Sequence, residues 1–145
     1  MKLILGSDHA AFAEKQTLKA WLKDQYEIVD VGCPTDERCD YPTYATAVVK
    51  EVLGQKTLGI LLCGSGIGVS MVANRYAGVR AALCRTPREA ELSKQHNNAN
   101  VLCLGARLHT IDELKAIITA WLESSFEGGR HLDRVNLFDG LGEKA

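Results

Sequence analysis

Short apolar segments alternate along the chain with segments in which apolar residues recur at helical spacing. Apolar runs with few polar residues are typical of strands that are buried in a sheet. The predicted strands are Lys2 to Gly6, Ile28 to Val31, Leu58 to Cys63, Val79 to Cys84 and Asn100 to Leu104. The predicted helices are Ala10 to Gln25, Tyr44 to Leu53, Pro87 to His96 and Ile111 to Ser124, with a further helix after Gly68 and a final polar segment after Gly129.

This alternation of strands and helices predicts the fold class. Strands joined by helices of about ten to fifteen residues form right-handed crossovers, which give a mostly parallel sheet with helices on both faces. We therefore expect an α/β protein, a single doubly wound, Rossmann-like domain over residues 1–145 with a five-stranded sheet. Ligands bind such sheets beyond the carboxyl ends of the strands. The segments at those ends are Ser7-Asp8-His9, the loop after Gly32, Cys63 to Gly68, Cys84 to Thr86 and Gly105-Ala106-Arg107.

Composition and charge exclude several classes of protein. The 145 residues include 17 basic and 18 acidic side chains, so a net charge of −1 offers no broad positive surface for nucleic acid or an anionic membrane. Residues 57–74 carry no charge, but four glycines and two serines interrupt them, which argues against a membrane span.

Cysteine and histidine spacing gives no sign of a metal or a disulfide framework. The five cysteines include no CxxC pair, and no two histidines have metal-ligand spacing. The apolar run at the N-terminus is too short for a signal peptide. We expect a reduced, cytoplasmic protein without a bound metal.

Three glycines follow the strand that ends at Cys63. Gly64, Gly66 and Gly68 let the backbone turn tightly, and the helix after them supplies unpaired N–H groups that can bind an anion. Nucleotide-binding GxGxxG and P-loop motifs need a glycine or Gly-Lys where this chain has Val69-Ser70, and a cysteine-phosphatase loop needs an arginine there. The loop is therefore interpreted as an anion site of another kind.

Cys63 is the candidate base or nucleophile. It lies at the end of a central strand beside backbone donors, and a helix N-terminus stabilises a thiolate. A thiolate beside an anion hole suits proton transfer at a carbon next to a carbonyl, with the hole binding the enediolate oxygen. The alternative is a small core residue, which is the interpretation of Cys84 and Cys103.

Polar residues at both ends of the chain suggest a phosphate site. Arg130 and Arg134 share a face if Gly129 opens a helix, and two guanidinium groups suit a phosphate monoester. The alternative for this pair is a solvated helix face. Asp8 could accept sugar hydroxyls and His9 could contact phosphate or a hydroxyl, although Asp8 could equally serve only as a helix N-cap.

His96 and Asn97 lie near the carboxyl end of a crossover helix, which is the edge of the sheet opposite Cys63. If both Cys63 and His96 are catalytic, a second subunit must therefore supply His96. The alternative is that His96 only interacts with the carbonyl groups at the end of its helix. His109 and His131 are interpreted as surface residues.

Six short motifs in register resemble the B-type ribose-5-phosphate isomerases, a family shared with the galactose-6-phosphate isomerase subunits. They are Gly6-Ser7-Asp8-His9-Ala10, Asp40-Tyr41-Pro42, Cys63-Gly64-Ser65-Gly66-Ile67-Gly68, Gln95-His96-Asn97, Gly105-Ala106-Arg107 and Glu127-Gly128-Gly129-Arg130-His131. The resemblance covers nearly the whole chain and leaves out the last ten residues. It implies an aldose–ketose isomerase that works through a cis-enediolate and needs neither a metal nor another cofactor.

The resemblance also implies a role for each matching residue. Cys63 is the base that moves a proton between C1 and C2, assisted by the hydroxyl of Ser65, where the family commonly has threonine. The anion hole consists of the backbone amides of Gly64, Ser65, Gly66, Ile67 and Gly68. His96, helped by Asp8, opens the furanose ring. The phosphate-site positions are His9, Arg130 and Arg134, and the substrate-pocket positions are Tyr41, Asn97 and Arg107.

The family builds its site between two subunits, which agrees with the expected separation of His96 from Cys63. This chain carries both Cys63 and the residues around His96 and Arg130. The resemblance therefore implies a homo-oligomer, at least a homodimer, with a tetramer left open. The expected substrates are ribose 5-phosphate and ribulose 5-phosphate. A hexose phosphate such as allose or galactose 6-phosphate is the first alternative. A non-catalytic phosphosugar-binding protein is the second, and the presence of Cys63, Ser65 and His96 together argues against it.

Overall fold

The computed structural model describes residues 1–145 and contains five strands and six α-helices. The strands are β1 (Lys2–Ser7), β2 (Glu27–Asp30), β3 (Leu58–Cys63), β4 (Ala81–Leu83) and β5 (Val101–Gly105). The helices are α1 (Phe12–Leu22), α2 (Tyr41–Gln55), α3 (Ile67–Ala73), α4 (Pro87–Asn97), α5 (Ile111–Glu123) and α6 (Arg130–Phe138). A 3-10 turn over His9–Ala11 leads into α1.

The five strands form one parallel sheet in the order β2-β1-β3-β5-β4. From β1 the chain first adds β2 on one side and then returns past β1 to add β3 on the other. The strand order therefore reverses between β1 and β3. In open α/β sheets this reversal leaves a crevice beyond the carboxyl ends of the two strands, where ligands bind.

Apolar side chains of the sheet alternate between two cores, one on each face. Leu3 and Leu5 of β1 belong to the core that α1 and α5 cover, whereas Ile4 belongs to the core that α2 and α3 cover. Trp121 of α5 is fully buried in the first core. The prediction of a doubly wound α/β fold with helices on both faces is confirmed.

The structure corrects the predicted extent of several elements. Val79 to Cys84 was expected to be a strand buried on both faces, but β4 is only Ala81–Leu83 and is half-buried. It is an edge strand that pairs with β5 alone, so one side of it lacks a covering strand. The segment Ala10 to Gln25 contains a shorter helix, because Asp8 caps the 3-10 turn before it.

The polar segment after Gly129 is a sixth helix. Gly129 is its N-cap with a positive φ of 54°, and Arg130 and Arg134 are both exposed on it. The expectation that a helix opening at Gly129 puts the two arginines on one face is therefore met. None of the helices combines the length and apolar character needed to cross a membrane.

Candidate active site

A cavity of about 640 Å³ lies at the reversal of strand order, beyond the ends of β1 and β3. Backbone hydrogen bonds join the two strand ends, since the Asp8 N–H donates to the Leu62 carbonyl at 3.3 Å. The cavity brings together residues from four separate predicted motifs. Its lining includes Asp8, His9, Tyr41, Cys63, Gly64, Ser65, Ile67, Gly68 and Arg107.

The glycine loop wraps around the Cys63 sulfur. The Gly66 N–H donates to Cys63 Sγ at 3.1 Å, and the Ile67 N–H donates to Ser65 Oγ at 3.2 Å. A hydrogen bond of this kind strengthens when the sulfur carries negative charge. The loop therefore places a backbone donor at the Cys63 sulfur, at the point where α3 begins.

Glycine is required at two positions of this arrangement. Gly66 has a φ of +78°, and a Cβ added there meets the Leu104 carbonyl carbon at 2.8 Å. A Cβ added at Gly105 meets the Ser65 carbonyl oxygen at 2.6 Å. The loop after β3 and the end of β5 thus touch through their backbones, which leaves no room for a side chain.

Cys63 differs from the other cysteines on the strands. Burial raises the pKa of the Cys84 thiol to about 11, and burial also raises the pKa of Cys103 far above its usual range. Neither of these cysteines lines the cavity, whereas Cys63 does and has an N–H donor on its sulfur. The interpretation of Cys84 and Cys103 as core residues agrees with their burial.

The sequence left open whether Asp8 is a helix N-cap or a residue of the ligand site, and the structure places it in both settings. Its Oδ1 accepts from the Ala10 N–H at 3.0 Å, so it caps the 3-10 turn, and it also lines the cavity. His9 Nδ1 accepts from the Cys39 N–H at 3.2 Å. This bond leaves Nε2 as the protonated nitrogen of the neutral His9 ring. His9 is thereby prepared to donate to an oxygen atom of a ligand.

Arg107 is held at the cavity wall by the loop after β5. The Ala106 N–H donates to the Cys63 carbonyl at 2.9 Å, and the Arg107 N–H donates to the Gly64 carbonyl at 3.0 Å. The guanidinium group passes beside Gly64, where an added Cβ would lie 3.4 Å from Nη1. One positive charge therefore faces the anion-binding loop from within the same chain.

The other predicted site residues lie away from this cavity. His96 is in the last turn of α4, where its Nε2 is 3.5 Å from Glu127 Oε1. Its ring stacks on the His131 ring with centroids 4.3 Å apart. Asn97, Arg130 and Arg134 are exposed and do not line the cavity. As expected from the topology, one chain does not join His96 to Cys63.

The description of His109 and His131 as surface residues is wrong. The His131 side chain is only 12% exposed because it stacks on His96, and the His109 side chain is only 9% exposed. His109 folds against the first turn of α5, with Nδ1 3.6 Å from Glu113 Oε2. Burial, followed by the charges of His96 and Arg130, lowers the pKa of His131.

His96, Glu127 and His131 also form the one cluster with enough metal-type ligand atoms in reach, all within 4.8 Å of one another. The sequence missed this cluster because His96 is distant along the chain from Glu127 and His131. The two imidazole rings lie only 13° from parallel. A metal must lie close to the plane of each ring that binds it, so the rings need to rotate before both can coordinate one ion.

Sequence reasoning gave no role to Glu127 or to the backbone of Cys39. Glu127 was quoted only within a motif, although the structure ties its N–H to the Gln95 carbonyl at 3.0 Å and its carboxylate to both histidines. No local pattern signals the contacts of Glu127 with Gln95 and His96 or of Cys39 with His9, because each joins segments that are distant in the sequence.

The parallel sheet thus places a cysteine and a glycine-rich loop at its switch point, where open α/β sheets bind ligands. Comparison with known proteins gives the family: residues 3–138 match the Ribose/Galactose Isomerase model, and the chain belongs to that family. By class it is an aldose–ketose isomerase.

Curated relatives match along almost the whole chain. Ribose-5-phosphate isomerase B of Escherichia coli strain K12 is 41% identical over 145 residues, which cover 99% of this chain and 97% of the relative. A probable ribose-5-phosphate isomerase B of Mycoplasma genitalium is 42% identical over 139 residues, which cover 92% of this chain and 91% of the relative.

Solved structures share the fold. A ribose 5-phosphate isomerase of Thermotoga maritima superposes with a TM-score of 0.92 at 44% identity, covering 95% of this chain and 97% of that one. The Mycoplasma genitalium enzyme, solved with bound ribulose-5-phosphate, superposes with a TM-score of 0.91 at 40% identity. The match covers 95% of this chain and 93% of that one.

Proposed function

We propose that this chain interconverts ribose 5-phosphate and ribulose 5-phosphate by proton transfer through a cis-enediolate, with residues 1–145 acting as one isomerase domain. The observation that carries the proposal is the Cys63 sulfur, which accepts the Gly66 N–H at 3.1 Å in a cavity beside Asp8 and His9. Relatives named ribose-5-phosphate isomerase B support this choice of substrate.

The proposed chemistry needs one base and one oxyanion site. The Cys63 thiolate removes the proton from C2 of the open-chain aldose and returns it to C1, while a proton moves from the C2 hydroxyl to the carbonyl oxygen at C1. The Ser65 hydroxyl assists this exchange. Backbone amides of Gly64 to Gly68 stabilise the enediolate oxygen, because preorganised N–H donors act strongly where charge develops. No step requires a metal or another cofactor.

Ring opening and phosphate binding require residues that one chain places elsewhere. His96, with help from Asp8, is proposed to open the furanose ring, and Asn97 is proposed to contact the sugar. The proposed phosphate ligands are His9, Arg130 and Arg134, and Tyr41 and Arg107 complete the pocket. His96, Asn97 and the two α6 arginines must therefore come from a second copy of the chain.

Exposed apolar side chains support a homodimer around this cavity. Tyr41, Ile67, Met71 and Leu108 line it and are 40%, 46%, 66% and 60% exposed. On α6, Leu137 follows Arg134 at helical spacing and is 81% exposed. Large apolar side chains exposed around a binding site are typical of an interaction surface. The proposed homodimer buries them and joins the two halves of the site.

The five cysteines are all free thiols, which supports the proposal that the protein acts in the reducing cytoplasm. Their retention as thiols is compatible with chemistry that depends on Cys63.

The substrate is tested by measuring kcat/KM for ribose 5-phosphate, allose 6-phosphate and galactose 6-phosphate on the same preparation. We expect a clear preference for ribose 5-phosphate and no change after treatment with a chelator. A preference for either hexose phosphate supports the alternative isomerase activity. Loss of activity with the chelator contradicts the metal-free mechanism, and binding without turnover of any sugar contradicts catalysis.

A further inference from the structure

The loop from Cys33 to Cys39 is attached at both ends to the segment that carries Asp8. At its start, the Cys33 N–H donates to the Ser7 carbonyl at 2.8 Å, and Cys33 Sγ is 3.8 Å from Ser7 Oγ. At its end, the Cys39 N–H donates to His9 Nδ1 at 3.2 Å, and Cys39 Sγ is 3.9 Å from the same nitrogen. The two thiols therefore contact Ser7 and His9, the residues on either side of Asp8 at the edge of the cavity.

The two thiols differ in their exposure to solvent. Burial raises the pKa of the Cys39 thiol most, and the neighbouring Cys33 thiol raises it further. Burial, and after it the Cys39 and Cys33 thiols, raises the pKa of the Tyr44 hydroxyl. Cys33 is buried at 2% exposure, whereas Cys39 is partly exposed, so an oxidant in solution reaches Cys39 first. The pair thus has one accessible sulfur, 3.9 Å from His9 Nδ1, and one sheltered sulfur, 3.8 Å from Ser7 Oγ two residues earlier in the chain.

We propose that Cys33 and Cys39 are a redox modification site, which a peroxide converts into a reversible disulfide beside the phosphosugar cavity. The Cys39 thiolate attacks a peroxide oxygen, the O–O bond breaks with loss of hydroxide, and Cys39 becomes a sulfenic acid. The Cys33 thiolate then attacks the Cys39 sulfur, the S–S bond forms, and hydroxide leaves. In total, two thiols and hydrogen peroxide give one disulfide and two waters.

The local environment sets the conditions for this reaction. Burial is the largest cause that raises the pKa of Cys39, and the neighbouring Cys33 and Asp8 add to it, while the contact with His9 opposes it. Tyr44 also faces the pair. The thiolate is the reactive form, so the disulfide forms faster at mildly alkaline pH than at pH 7.

The disulfide acts on the site through two neighbours, and this consequence rests on the proposed function. The Cys39 N–H holds the His9 ring, and Tyr41, which lines the cavity, is only two residues further along. Closing a covalent ring over residues 33–39 shifts the backbone that holds both side chains. We expect a higher KM for ribose 5-phosphate, with a smaller effect on kcat.

Peptide mapping tests the disulfide without reference to activity. Arg38 lies between the two cysteines, so trypsin separates them into peptides 24–38 and 39–50. After peroxide treatment at pH 8.5 and alkylation of free thiols, these two peptides should be found joined, and a dithiol reductant should separate them. Cys84→Ser should keep the link, and Cys39→Ser should abolish it. Cys39 found only as a sulfinic acid, or joined to Cys63, overturns the proposal.

Kinetics test the consequence on matched samples. Peroxide should raise the KM of the wild type in a manner that the reductant reverses, and Cys39→Ser should not show this reversible rise. An equal response of both proteins shows that the disulfide does not act on the site and overturns that part of the proposal. Failure of the proposed function is separate, because it appears as absent turnover of ribose 5-phosphate by the untreated, reduced protein.

Discussion

At the scale of single residues, the structure separates cysteines that look alike in the sequence. Cys63, Cys84 and Cys103 are all buried within or just after apolar strands. Only Cys63 combines an N–H donor on its sulfur with a place in the cavity wall. Burial keeps the Cys84 and Cys103 thiols protonated by raising the pKa of each. Of these three cysteines, only Cys63 therefore presents its sulfur to the cavity.

Replacing Cys63 by alanine tests its role as base. We expect Cys63→Ala to lose at least about 100-fold in kcat, the scale usual for a general base, while substrate binding measured by calorimetry persists. Cys84→Ala is the matched control, since it removes a buried strand cysteine outside the cavity and should keep its turnover. Turnover of Cys63→Ala at the wild-type rate rules out this residue as the base.

Local sequence patterns predicted one part of the site. The other part depends on contacts between distant segments, which no local pattern encodes. The sequence indicated Cys63 and its loop because a strand cysteine followed by three glycines is a local pattern. The burial of His131 depends on stacking against His96, and the hydrogen bond to His9 comes from the Cys39 backbone. Such contacts join distant segments, so no residue spacing along the chain predicts them.

At the scale of elements, backbone contact between the β3 loop and β5 fixes the shape of the anion site. The Gly66 conformation and the approach of Leu104 leave no space for a Cβ. The strands themselves were predictable from their apolar runs, but the half-buried β4 was not. An edge strand and a central strand differ in what lies beside them, which the residues of the strand do not reveal.

Substitution of Gly66 by alanine should disturb both the fold and the activity. The new Cβ meets backbone at 2.8 Å with a φ of +78°, so we expect Gly66→Ala to lose about 1–3 kcal/mol of unfolding free energy. Turnover should fall as well, because the N–H on Cys63 moves. Urea denaturation and kcat measure the two effects. Gly54→Ala in α2 is the control, since its Cβ meets nothing within 4 Å. Equal stability of the two variants contradicts the steric argument.

Packing between α4 and α5 leads to a prediction about how the free energy of unfolding depends on pH. Lys94 is 8% exposed with Nζ 4.4 Å from the Trp121 ring centroid. Burial, with a smaller effect from Arg80, lowers the pKa of Lys94 from 10.5 to about 8. Between these values the unfolded chain binds more protons than the folded one, so this contribution to stability rises with pH across that window.

Comparison of Lys94→Met with the wild type isolates this effect. The advantage in unfolding free energy of the methionine variant should shrink by about 1–3 kcal/mol from pH 7 to pH 10, because the wild type loses its buried charge. Urea denaturation at several pH values measures the difference. Exposed Lys50→Met provides the control and should show a flat difference. A gap for Lys94→Met that stays constant or widens contradicts the assigned burial cost.

At the scale of the whole molecule, the residues proposed for catalysis are divided between two regions of the chain. The cavity at the carboxyl edge of the sheet holds Cys63, Asp8 and His9. His96 lies at the far end of α4, beside Glu127 and His131. This division was predictable from topology, because a crossover helix returns the chain to the opposite edge. The exposed apolar surfaces that are proposed to join two copies were not predictable, since apolar exposure depends on the folded structure.

The most direct test of this account mixes two inactive proteins, Cys63→Ala and His96→Ala, and allows their subunits to exchange. If each site takes Cys63 from one subunit and His96 from the other, every hybrid dimer has one intact site. Half of the dimers are hybrids at equal mixing, so activity should recover to about 25% of the wild type. If hybrid dimers confirmed by mass spectrometry stay inactive, the site does not combine Cys63 and His96 from two subunits.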